Sequence, residues 1–130
     1  MRSDDYDVLP LIYSCSGCSN VAQLANSVAI ELDHEIEAEM SCIAGVGGGV
    51  PALVKKARSG RTIIGLDGCP LHCVKSCLSQ QDLVADYHYT LTDEQFRKTH
   101  RRDCNADDVA RIKAKILHDL KSAEDGTASH

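Results

Sequence analysis

The feature that most constrains this chain is a pair of places where a short apolar run stops and cysteines begin. Residues 62–66 are Thr-Ile-Ile-Gly-Leu, a β-branched run that reads as a buried strand. Directly after it comes Asp67-Gly68-Cys69-Pro70-Leu71-His72-Cys73-Val74-Lys75-Ser76-Cys77, which holds three of the chain's seven cysteines. Upstream, the apolar run 8–13 leads into Ser14-Cys15-Ser16-Gly17-Cys18-Ser19-Asn20. Both cysteine groups are followed by helical spacing. In a parallel sheet the strand-to-helix turns share one edge, so this pattern predicts that the two thiol groups meet there, more than fifty residues apart in sequence.

The rest of the chain alternates strands and helices. Residues 1–7 read as a solvated lead-in. A helix over about 19–33 is capped by Ser19 or Asn20 and carries Val21, Leu24, Ala25, Val28, Ala29 and Leu32 on one face. In 35–42, Ile36, Ala38, Met40 and Cys42 alternate with Glu35, Glu37, Glu39 and Ser41, which predicts an edge strand with one wet face. The glycine-rich stretch 44–50 reads either as a segment flexible enough to pass close to a site or as a plain mobile loop. It lacks the Gly-Lys-Ser/Thr of a phosphate loop. Pro51 opens a helix that Gly60 ends.

Pro70 suits the first position of the next helix, with Cys69 near its N-cap. A helix so placed sets Cys73 one turn on, and Cys77 roughly 6 Å further along. A fourth strand spans about 83–90. Residues 91–105 are polar, with a helical turn near 93–98, and a last helix runs from about 105 to 122 on Val109, Ile112, Ile116 and Leu120. The expected architecture is a single α/β domain over 1–130, its core spanning about 8–122 and residues 123–130 frayed. A four-stranded, mostly parallel sheet in the order 2-1-3-4, flavodoxin-like or Rossmann-like, is flanked by helices. Cys18 and Cys69 then face one another where the strand order reverses.

Charge narrows the function. The net charge is −5 and the basic residues cluster only near 98–102, so nucleic acid is not an expected partner. The opening residues are acidic and the apolar run after them is too short for a signal core or a membrane span, which points to the cytoplasm. In a reducing compartment seven cysteines read as metal ligands or redox thiols rather than structural disulfides. A small molecule or another protein is the expected partner, and nothing in the sequence specifies the oligomeric state.

Metal binding needs thiolates, which a helix N-terminus stabilises. Cys15, Cys18, Cys69 and Cys73, as C-x-x-C plus C-x-x-x-C, suit tetrahedral Zn²⁺. Ligation of an iron–sulfur cluster would use the same four. The alternative is a thiol redox or sulfur- or metalloid-handling enzyme, with Cys15 and Cys18 as the redox pair or Cys69 as nucleophile resolved by Cys73 or Cys77. Isolated Cys42, Cys77 and Cys104 read as core or incidental thiols, Cys42 and Cys77 being reserve ligands. His72 lies off the face shared by Cys69 and Cys73. His34, His88, His100 and His118 read as surface residues, and Asp67 reads first as a cap on the turn that follows it and otherwise as a group that orients the ligands from behind.

Three segments carry a family resemblance: Tyr13-Ser14-Cys15-Ser16-Gly17-Cys18, the strand ending at Met40-Ser41-Cys42, and Ile64-Gly65-Leu66-Asp67-Gly68-Cys69-Pro70-Leu71-His72-Cys73. In order and spacing, over about residues 10–90, the chain resembles the DGC-domain family of small, mostly prokaryotic proteins. That resemblance implies a zinc-binding domain whose chelating cysteines are Cys15, Cys18, Cys69 and Cys73, with Cys42 as a substitute, and it implies no particular activity.

Overall fold

A computed structural model of the chain describes residues 8–94 and 105–124, the last for its backbone alone. In order, the elements are β1 (Leu11–Ser14), α1 (Asn20–His34), β2 (Glu39–Met40), α2 (Ile43–Gly47), α3 (Pro51–Ala57), β3 (Ile63–Asp67), α4 (Cys73–Ser79), β4 (Tyr87–Thr90), a 3-10 turn (Leu91–Glu94) and α5 (Ala106–Glu124). The sheet order is β2-β1-β3-β4 and every neighbouring pair is parallel, as expected.

Alternation along the strands divides the core in two. Ile12, Ile64, Leu66, Tyr87 and Tyr89 pack on α1 and α5 with Val21, Leu24, Val28, Leu32, Ile112 and Ile116. On the other face, Leu11, Tyr13 and Ile63 pack on Val46 of α2, Ala57 of α3, and Val74 and Leu78 of α4. Full burial of each large aliphatic side chain contributes about 1.5–3 kcal/mol. Ser19 caps α1, its hydroxyl accepting from the Ala22 N–H at 3.2 Å, and the predicted apolar face of α1 is buried.

Local rules fail in three places. The second strand shrinks to two residues because α1 ends in a Schellman turn: Ile36 takes φ 62°, its N–H donating to Asp33, while the Glu37 N–H donates to Leu32. Glu39, expected on the wet face, is buried between Lys56 Nζ at 2.6 Å and Arg61 Nη1 at 2.9 Å. Residues 44–47 of the glycine-rich stretch lie in α2, and only 48–50 form a connecting turn. A Cβ on Gly45 would stand 2.0 Å from Leu53 Cδ1, and one on Gly47 would stand 2.7 Å from Cys77 Sγ, so these glycines serve close packing. A 3-10 turn spans Leu91–Glu94 and meets the turn expected near 93–98 only at residues 93 and 94; residues 95–98 lie outside the described residues.

Candidate thiolate site

The site is built where β1 and β3, neighbours in the sheet, release the chain toward opposite faces. The Cys15 N–H donates to Leu66 O at 3.0 Å, which extends the strand pairing by one residue and sets Cys15 beside the end of β3. At that end stands Asp67, 1% exposed. Its Oδ1 accepts from the Val74 N–H at 2.7 Å and its Oδ2 from the Lys75 N–H at 3.2 Å and from His88 Nε2 at 2.8 Å. Burial alone would raise this carboxyl, but those three donors outweigh it and hold it below its ordinary 3.8, so the ionised oxygen accepts and His88 donates.

Gly68 brings the loops together. A Cβ there would lie 2.8 Å from Val21 C, and 2.9 Å from Ala22 N and Val21 O, all backbone atoms of α1's first turn. Only glycine lets the two pass at this distance. The Gly68 N–H donates to Cys15 Sγ at 3.1 Å, tying the two thiol-bearing loops directly. Asp67, Gly68 and Cys69 thus divide the work of helix cap, close passage and thiol.

The helix does not begin at Pro70. Residues 69–72 form a turn closed by the His72 N–H donating to Cys69 O at 3.2 Å, and His72 takes the left-handed conformation, φ 54° and ψ 49°. Cys73 is the first residue of α4. Asp67 fixes that start by binding the amides of residues 74 and 75 from seven and eight positions upstream, a long-range cap that outcompetes the local preference of Pro70. Cys69 is therefore in the turn and not the N-cap.

Cys15, Cys18, Cys69 and Cys73 line one cleft of about 160 Å³ with Gly17, Val21, Ala22, Gly68 and Leu71 among its walls. Cys15 and Cys69 are half-buried, while Cys18 and Cys73 are exposed. Cys42 is the exposed N-cap residue of α2, and Cys77 sits a helical turn beyond Cys73, against Gly47. Neither lines the cleft. Cys104 and His100 lie outside the described residues. Burial pushes the Cys15 thiol up, the Gly68 N–H pulls against it, and Asp67, Cys73 and Cys69 add to the rise. Burial likewise pushes Cys77 up, with Cys73 and Asp67 adding to it.

Among the described residues, no three His, Cys, Asp or Glu side chains stand close enough together to hold a metal ion as placed. The donor chemistry nonetheless fits a soft divalent cation: four thiols open onto one cleft, and one sulfur already receives a backbone amide. Cys18 and Cys73 are exposed, and exposed side chains change rotamer on the ps–ns scale.

Sequence reasoning missed the histidine pair. His88 was expected on the surface, yet it is half-buried on Asp67, and its ring meets that of His72 edge-on at 5.3 Å. His72 Nε2 shares a hydrogen bond with Thr90 Oγ1 at 2.9 Å. The signal was the alternation in β4, which sends His88 and Thr90 to the face opposite Tyr87 and Tyr89. Parallel register then pairs His88 with Gly65 and Thr90 with Asp67. His34 and His118 are exposed.

A family model described as the DGC domain matches residues 11–116, from the start of β1 into α5. The chain belongs to the DGC-domain family. The match takes in both thiol loops, β4 and most of the two core layers, so the cleft and the clamp of hydrogen bonds around Asp67 are parts of this DGC domain. The chain is also 60% identical over 111 residues to the anaerobic and virulence modulator AnvM of Pseudomonas aeruginosa strain PAO1, covering 85% of this chain and 84% of that protein. No solved structure matches. Among the described residues, no helix of this DGC protein is long and apolar enough to cross a membrane.

Proposed function

We propose that this DGC protein binds a thiophilic divalent cation, zinc in the first instance, through Cys15, Cys18, Cys69 and Cys73. The observation that carries the reading is that four cysteines from two distant turns open onto a single cleft at the carboxyl edge of a parallel sheet, where such folds bind ligands. The amide of Gly68 on Cys15 Sγ supports it, since hydrogen bonds to sulfur stabilise thiolate ligands. The cation would supply the positive charge that four thiolates sharing one cleft lack. The chain's own residues orient the sulfurs, with Asp67 fixing the start of α4 and Gly68 setting the separation of the loops. Such a reducing, thiol-rich site belongs in the cytoplasm. The relative AnvM is named as a modulator, which favours a regulatory use of the site over a biosynthetic one.

A second reading has its own observation. Cys18 and Cys73 are exposed and the sulfurs are not gathered, which suits thiol redox or sulfur- or metalloid-handling chemistry at the same cleft. Elemental analysis of protein purified without added metal separates the readings. We expect about one zinc per chain and a colourless solution. A brown protein containing iron would move the assignment to an iron–sulfur cluster. Serine at position 15, 18, 69 or 73 should remove most of the metal. Cys77→Ser should leave it in place, because Cys77 packs on Gly47 outside the cleft. Metal retained by all four cleft variants, or no metal at all, gives the lead to the redox reading.

A further inference from the structure

Two side chains of β4, alternate residues on one strand, reach across to the loop that carries Cys69 and Cys73. His88 donates to Asp67 at 2.8 Å, and Asp67 holds the amides of Val74 and Lys75, the residues directly after Cys73. Thr90 bonds His72, the left-handed residue directly before Cys73, at 2.9 Å. The two imidazoles meet edge-on at 5.3 Å, so the two arms brace one another. A left-handed conformation at a residue other than glycine is costly and persists where its surroundings over-determine it. Here the surroundings are Thr90 and His88. Gly65, the register partner of His88, makes room for the imidazole: a Cβ there would stand 3.3 Å from both His88 Cδ2 and Val74 Cγ1.

From this we infer that His88 and Thr90 are positioning residues for the thiolate cleft, a clamp from β4 that fixes Cys73 from both of its chain neighbours. The inference rests on the metal-binding reading of the cleft, and it concerns residues that do not themselves line the cleft. Groups outside the ligand shell that orient a metal's ligands are worth about 10–100-fold in affinity, and His88 and Thr90 would act one step further out, on Cys73 through the residues on either side of it.

Cobalt(II) titration of the protein, read from its thiolate charge-transfer and tetrahedral d–d absorption, tests the clamp with four chains: the natural one, His88→Gln, His88→Leu and Thr90→Val. Glutamine can still donate to Asp67, whereas leucine cannot, and valine keeps the shape of threonine without its hydroxyl. We expect His88→Leu and Thr90→Val each to bind cobalt about tenfold or more weakly with altered d–d bands, and His88→Gln to stay within about threefold of the natural chain. Equal affinity in all four overturns the clamp, and so does a loss in His88→Gln as large as that in His88→Leu. Should His88→Leu fail to fold, Thr90→Val carries the comparison alone. Amide hydrogen exchange of the same proteins separates this inference from the reading beneath it. If the natural chain takes up no cobalt, the metal reading falls, while a loss of about tenfold in protection at Val74 and Lys75 in His88→Leu still supports the clamp and unchanged protection overturns it.

Discussion

Replacing Gly68 by alanine asks whether close passage of the two loops builds the site. The added Cβ would sit 2.8 Å from Val21 C, and 2.9 Å from Ala22 N and Val21 O. Those atoms belong to the first turn of a fifteen-residue helix whose Val21, Leu24, Ala25 and Val28 are buried, so they cannot yield as the tip of a flexible side chain would. Something must move by most of an ångström. Forcing a methyl into packed structure costs about 1–3 kcal/mol, and a backbone obstacle places this case at the upper end. Separating the loops also stretches the Gly68 N–H···Cys15 Sγ contact, adding up to about 1 kcal/mol. For a chain of 130 residues each kcal/mol moves the melting temperature by about 4 °C, so Gly68→Ala should melt about 10–15 °C lower. Half-buried Cys15 should also react faster with an alkylating reagent. Gly60→Ala is the internal control. Gly60, unlike Gly68, has a positive φ, +86°, and nothing lies within 4 Å of its would-be Cβ. It should lose only about 1 kcal/mol of backbone preference, with Cys15 reactivity unchanged. If Gly68→Ala melts no lower than Gly60→Ala, close passage is not what this glycine is for.

Two further outcomes follow from single residues. Ile36 is a β-branched residue held at φ 62° at the end of α1 and is 43% exposed, so Ile36→Gly should raise the melting temperature by about 4 °C through relief of about 1 kcal/mol; an unchanged or lower value would contradict it. Burial pushes the Glu39 carboxyl up, but Lys56 and Arg61 outweigh it and hold Glu39 below its ordinary 4.5. Its contribution is therefore fully present above about pH 4.5 and is lost as pH falls through the lower folded value. Glu39→Gln should cost about 1–2 kcal/mol at pH 7, discounted because Lys56 is 40% exposed, and clearly less at pH 3, below the ordinary carboxyl value. Thermal melts at the two pH values check this, and an equal gap at both would sink it.

Most of the frame was legible because short-range rules govern it. The apolar face of α1, its serine cap, the strand order and the meeting of two thiol turns at one edge all follow from periodicity, capping chemistry and parallel topology. What escaped was set across the sheet. Pro70 satisfied every local rule for a helix start, but Asp67 binds the amides of Val74 and Lys75 from outside the window in which caps are read, and the helix begins at Cys73. His88 had no visible partner because Asp67 lies 21 residues away and on another strand. Glu39 looked solvated since its two cations come from the last turn of α3 and from the loop beyond it, 17 or more residues away in sequence. The glycines of α2 imitate a loop in composition, and only contacts such as Gly47 on Cys77 reveal close packing.

The central claim is that four thiolates, brought together from two distant turns, hold one metal ion. X-ray absorption at the zinc edge of the zinc-loaded protein tests it most directly, because scattering from the first shell counts and identifies the ligand atoms. The account predicts a shell of about four sulfurs near ~2.3 Å with no dominant nitrogen or oxygen contribution. A shell of nitrogen and oxygen, or zinc that remains bound when Cys15, Cys18, Cys69 and Cys73 are all serine, would contradict it.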